Sequence, residues 1–94
     1  MKYIIKPSQL RVGVQIFKRG FKYTALVTYF TKDGKLDRKE YYTTYTKYGV
    51  KSRLVDLLDE AFFEGIRSSE IEVTNFTNIN LDLGLIRIHN LIRI

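Results

Sequence analysis

The side chains in this sequence best equipped for chemistry are cations set among phenol rings. Lys22, Tyr23, Lys32, Lys35, Arg38, Lys39, Tyr41, Tyr45 and Lys47 lie in one stretch, with Tyr29, Tyr42 and Tyr48 interleaved or adjoining. Ammonium and guanidinium groups neutralise phosphates and release their counterions, while an exposed ring stacks on a base. The nine form the expected nucleic-acid-binding set. The same residues also have a structural reading. Thr and Tyr are good strand formers, half the rings of a strand face a core, and lysines at a hairpin tip guard a sheet edge.

Groups for catalysis are sparse. His89 is the single imidazole, and the chain has no cysteine. That excludes disulfides, thiol nucleophiles and Cys-based metal sites, and it leaves a serine or threonine nucleophile only one potential base. The six glycines are scattered and form neither a GxGxxG nor a Walker sequence. Asp56 pairs with Glu60 at helical spacing, and Asp59 adjoins it, but on the outer face of an amphipathic helix such carboxylates are ordinarily solvated or ion-paired. A non-enzymatic protein is expected, without cofactor or metal. Asn75-Phe76-Thr77 matches a glycosylation acceptor and, with no secretory signal beside it, reads as a chance match.

Charge is unevenly distributed. Residues 1–53 hold thirteen Lys and Arg against Asp33, Asp37 and Glu40, a balance of +10 within a total of +6. Residues 54–94 hold Arg67, Arg87 and Arg93 against seven carboxylates, a balance of −4. The asymmetry predicts a basic face and an acidic face, provided the halves do not interleave. The 94 residues allow one domain. No apolar run approaches the ~20 residues of a membrane span, and Met1–Pro7 is too short for a signal peptide, so a cytoplasmic site (host cytoplasm if viral) is expected.

Several elements must position these groups. Lys2–Ile5 reads as a short strand stopped by Pro7. Leu10, Val12, Val14 and Ile16 alternate with Arg11, Gly13 and Gln15, the period of a half-buried strand. Lys18-Arg19-Gly20 then makes a tight connection. Phe21–Thr31 and Leu36–Thr46 flank Asp33-Gly34, a pair suited to the type I′ turn of a hairpin over residues 21–46. Leu54, Leu57, Leu58, Ala61 and Phe62 recur at helical spacing over residues 52–65, with Ser52 as the expected N-cap and Gly65 as the exit. Phe63 points away from that stripe, among carboxylates. Glu70–Thr74 alternates as a strand, and Asn75–Asn80 is a polar break. Leu81–Ile94 fits either a strand or a helix, and its isoleucines and poor capping favour a strand. The fold class is α+β: a small single domain, residues 1–94, with a mainly antiparallel sheet, one main amphipathic helix and a C-terminal strand region.

Strand, strand, Asp-Gly turn, strand, helix, strand resembles the opening of ribonuclease-H-like folds. That resemblance implies carboxylates on the first strand, the helix and the end of the next strand, to bridge two metal ions. Arg11–Phe17 and Phe21–Thr31 contain no acid, so only Asp56 or Glu60 matches, at the helix position. Residues 20–66 also look like the three-stranded DNA-binding domains of some phage-type integrases, in which a basic sheet enters the major groove.

Two functions follow as expectations. The first is a binding module that engages nucleic acid or a nucleoprotein through the Lys/Tyr-rich hairpin. The second is a protein-directed inhibitor or adaptor of phage or mobile-element type, for example anti-CRISPR-like. A chain rich in Ile, Lys and Tyr, with only Ala25 and Ala61, fits AT-rich genes of that kind. Its protein interface would be either the acidic helix face around Asp56, Asp59, Glu60 and Phe63 or the basic sheet, imitating a nucleic-acid-binding competitor. Ile88 and Ile92 mark an expected homodimer interface in the aliphatic C-terminal stretch, because one helix covers only one side of a sheet.

Overall fold

A computed structural model describes residues 10–91. The expected strand Lys2–Ile5 and the interface residue Ile92 lie outside them. β1 (Leu10–Arg19), β2 (Lys22–Thr31) and β3 (Leu36–Thr44) form a meander, followed by α1 (Lys47–Phe63), a 3-10 turn (Ser68–Glu70), β4 (Ile71–Asn75) and β5 (Arg87–Asn90). The sheet order is β3-β2-β1-β4-β5. β1/β2 and β2/β3 are antiparallel, while β1/β4 and β4/β5 are parallel. The α+β class with one main helix holds. As expected, most of the pairing is antiparallel, in the two long ladders of the meander. β4 and β5 join in parallel and make the sheet mixed, because α1 carries the chain from β3 back to the far edge of β1 and so delivers β4 parallel to it.

Alternation sets the two faces. Leu10, Val12, Val14 and Ile16 of β1 share a face with Tyr23, Ala25, Val27 and Tyr29 of β2 and with Ile71 and Val73 of β4. All are buried with Val50, Leu54, Leu57, Leu58 and Ala61 of the helix. Arg11, Gln15, Lys39, Tyr41, Glu72 and His89 project from the opposite, open face, with Phe17, Leu26 and Phe30 half-buried between them.

The helix begins five residues before the expected start. Thr46, not Ser52, is the N-cap, and its Oγ1 accepts from the Gly49 N–H at 2.9 Å. Val50, one turn before Leu54, extends the apolar stripe and carries the helix back to Thr46. At the other end Gly65 takes φ +93, the left-handed exit expected of it. Gly49 is needed for space: a Cβ there would stand 2.9 Å from Thr44 Cβ. Although alanine is ordinarily the better helix former by about 1 kcal/mol, Gly49→Ala is expected to destabilise by about 1–3 kcal/mol through overpacking. Chemical denaturation checks this, and a gain in stability would refute the steric account.

The Asp-Gly hairpin has a different turn from the expected type I′. Among the described residues only glycines have positive φ, so Asp33 cannot take the left-handed position that turn requires. Gly34 N donates to Thr31 O at 2.9 Å, Thr31 N donates to Lys35 O at 2.8 Å, and Gly34 sits at φ +89. The loop therefore has three residues, Lys32–Gly34. A register shift beyond it pairs Phe30 with Leu36 but Tyr29 with Arg38, leaving Asp37 as the extra residue of a bulge.

The C-terminal stretch is not one strand. Gly84, at φ +66, turns the chain between Leu83 and Leu85, and only Arg87–Asn90 pairs with β4. Ile86 is buried, and Leu81, Leu83 and Ile88 pack against the core. These aliphatic groups pack against the protomer's own interior, with Ile88 half-buried on the edge strand β5. Among the described residues of this stretch, Leu85 and Leu91 remain exposed.

Asn75 closes the far end of the sheet and is fully enclosed. Its Oδ1 accepts from the Thr77 N–H at 3.0 Å and from the Thr77 hydroxyl at 2.6 Å. Its Nδ2 donates to Ile79 O at 2.8 Å and Asn90 Oδ1 at 3.1 Å. The tripeptide that matches a glycosylation acceptor is thus folded around its own asparagine.

Candidate functional site

The basic–aromatic set divides into four groups once folded. Tyr23, expected on the binding surface, is a core residue: it lies on the helix-facing side of β2, and the Lys18 ammonium sits 5.5 Å from its ring centroid. Arg38, although exposed, has its charge engaged on the helix-facing side of β3. Its guanidinium stacks 4.1 Å from the ring centroid of buried Tyr29 and lies within 3.8 Å of Glu40 and 4.0 Å of Glu64. Burial raises the Tyr29 hydroxyl above its ordinary pKa, against the lowering effect of Arg38. Beside it, the Tyr42 hydroxyl donates to Glu40 at 2.6 Å, and that bond, with partial burial, raises its pKa also. Arg53 covers the Tyr42 ring at 4.3 Å. These residues form a polar seam between α1 and the edge strand.

At the β2–β3 tip, Lys32 meets a carboxylate, whereas Lys35 is exposed and makes no ion pair among the described residues. Thr31 donates its hydroxyl to Asp33, which holds that carboxyl below its usual range. Lys32 reaches Glu70 at 3.9 Å, as Arg11 does at 3.5 Å. Glu64 and Glu70 belong to the acidic half of the chain, so at these points the halves interleave rather than separate. Lys39 and Tyr41 stand on the open face of β3, exposed.

The fourth group lies at the opposite end of the sheet. Tyr23 pairs with Thr44, which brings the β1–β2 connection beside the junction between β3 and α1. Lys22 lies 5.6 Å from the ring centroid of Tyr45. Lys18, Arg19, Lys22 and Lys47 are exposed here, as are Phe21 (89%), Tyr45 (72%) and Tyr48 (83%). The contributing stretches, residues 10–32 and 41–55, contain no Asp or Glu. None of the ion pairs found among the described residues involves these four cations. Of the expected set, the structure joins Lys22, Tyr45 and Lys47 here. It adds Tyr48, named beside that set, and Lys18, Arg19 and Phe21, which the hairpin-centred reading leaves out. The signal available in sequence was the acid-free composition of both stretches.

Asp56, Asp59, Glu60 and Phe63 all lie exposed on α1, with Phe63 96% accessible. Ile88 is half-buried on β5. Among the described residues no group of three or more His, Cys, Asp or Glu is placed to hold a metal ion. Where a ribonuclease-H-like arrangement would call for acids on β1 and at the end of β4, Ile16 pairs with Asn75. No helix among the described residues is long and apolar enough to cross a membrane. Comparisons with protein-family models, curated proteins and solved structures find no match for this chain.

Proposed function

We propose that the protein is a non-enzymatic module that binds nucleic acid through the basic end of its sheet, where the β1–β2 connection meets the β3–α1 junction. One observation carries this reading: Lys18, Arg19, Lys22 and Lys47 converge around exposed rings, with no carboxylate in the stretches that supply them. Four uncompensated cations at one end make a positive potential that attracts a phosphate backbone. Arg38 of the seam and Lys32 of the β2–β3 tip, by contrast, already face Glu40, Glu64 and Glu70. The contact surface is therefore this end rather than the whole hairpin.

Titration with salt tests the reading. Each phosphate contact adds about 0.7–0.9 to the slope of log affinity against log salt. Lys22→Gln and Lys47→Gln are each expected to reduce the measured slope by about that amount, while Lys35→Gln leaves it unchanged. Affinity that is flat across salt, or absent at low salt, defeats the proposal.

A second reading, a protein-directed inhibitor or adaptor, draws on Phe63. A fully exposed phenyl ring flanked by Asp59, Glu60 and Glu64 suits a partner with an apolar pocket rimmed by cations. Affinity capture from a nuclease-treated lysate, with wild type and Phe63→Ser side by side, tests it. A stoichiometric partner lost with Phe63→Ser supports this reading, and capture indifferent to the substitution opposes it.

A further inference from the structure

We infer that this basic end selects single-stranded over duplex nucleic acid, with Phe21, Tyr45 and Tyr48 as stacking platforms. This rests on the nucleic-acid reading above and specifies its ligand.

Cations alone would hold either form, since both present phosphates. The rings make the difference, because a base offers its face only when it has left the duplex stack. Phe21 projects from the two-residue connection between β1 and β2, where Gly20 takes φ +59 and makes the turn that lifts it clear of the sheet. Tyr45 follows the last residue of β3, and Tyr48 stands in the first turn of α1. None of the three contributes to the core, although the protein buries Tyr23 at the same end of the sheet. Their exposure therefore serves no packing purpose visible in the fold.

The arrangement also suits a strand better than a lipid surface. A membrane-inserting tip gathers its apolar groups together and sets cations around the rim. Here ring and cation alternate: Phe21 adjoins Lys22, Lys22 lies against Tyr45, and Lys47 adjoins Tyr48. That alternation matches the base and phosphate alternation of an unpaired strand.

The test compares a short oligothymidylate with a duplex of equal length by fluorescence anisotropy, with phosphatidylserine vesicles as a third ligand. The single strand is expected to bind at least ~10-fold more tightly than the duplex, as one stacked base contributes about a tenfold factor. Seven tyrosines and no tryptophan make intrinsic tyrosine emission a direct reporter, and it should be quenched as the oligonucleotide stacks. Tyr45→Leu and Tyr48→Leu should each weaken single-strand binding about 5- to 100-fold and leave duplex binding and the salt slope unaltered. Circular dichroism confirms that these surface variants stay folded. Equal affinity for both forms, with the leucine variants unaffected, overturns the inference while the nucleic-acid reading stands. No binding to either form overturns both, and binding to the vesicles alone overturns both in favour of a lipid surface.

Discussion

Asn75→Ala is expected to lower stability by about 3 kcal/mol, equivalent to a fall of about 12–24 °C in melting temperature for a domain of this size. The side chain is fully enclosed and serves four partners, so its removal strands several of them at once. Thr77 would lose the acceptor for both its N–H and its hydroxyl, and Ile79 the donor to its carbonyl. Thr77 Oγ1 also accepts from the Ile79 N–H at 3.2 Å, so the loop after β4 loses its organising centre. Asn75→Asp should be at least as damaging, because a carboxylate oxygen would then face Ile79 O and Asn90 Oδ1 where two hydrogens had been donated. Asn90→Ala is the control. Asn90 is exposed, so water can take over its one bond to Asn75, and its loss should cost only about 1 kcal/mol. Thermal unfolding of the three variants decides the matter, and a change of only a few degrees in Asn75→Ala would show the network to be dispensable.

Leu54→Ala should rank with it, at about 2–5 kcal/mol, through lost burial and the cavity left beneath the helix. Leu54 lies at the centre of the α1 stripe with no exposed surface, and α1 is the only long helix among the described residues. Native stability at this length is typically about 5–14 kcal/mol, so one substitution would remove a large fraction of it. Phe63→Ser, nine residues on, should shift stability by less than about 0.5 kcal/mol despite deleting a larger side chain. Urea titration of the pair separates helix faces rather than residue sizes. Similar midpoints for both would contradict the placement of Leu54.

Some of this was legible in the chain. Alternation separated the two faces of β1, since strand periodicity is a strictly local property. The stripe Leu54–Leu58–Ala61 and the exposure of Phe63 were equally plain. The start of the helix was not, because Thr46 caps it only in company with Val50 and the glycine that fits against Thr44. Nor was the break in Leu81–Ile94: alternating leucines look like a strand until Gly84 takes a left-handed conformation. The candidate site shows the same limit. Composition marked lysine and tyrosine, but only strand register reveals that Arg38 stacks on Tyr29 and that Tyr23 faces the core. Which cations stay free depends on where Glu64 and Glu70 arrive, and that is set by tertiary structure.

The central position of β1 has a consequence for synthesis. Val12 pairs with Ile71, so one edge of β1 waits 59 residues for its partner, while the other is closed at once by β2. At about 5–20 residues per second, that edge stays unpaired for roughly 3–12 s on a translating ribosome. During that interval β1, β2 and β3 can already zip together, and the leading edge presents Val12, Val14 and Ile16 with unsatisfied backbone groups. A nascent chain in this state is most exposed to strand exchange with its neighbours on the same message. The arrival of β4 ends the hazard.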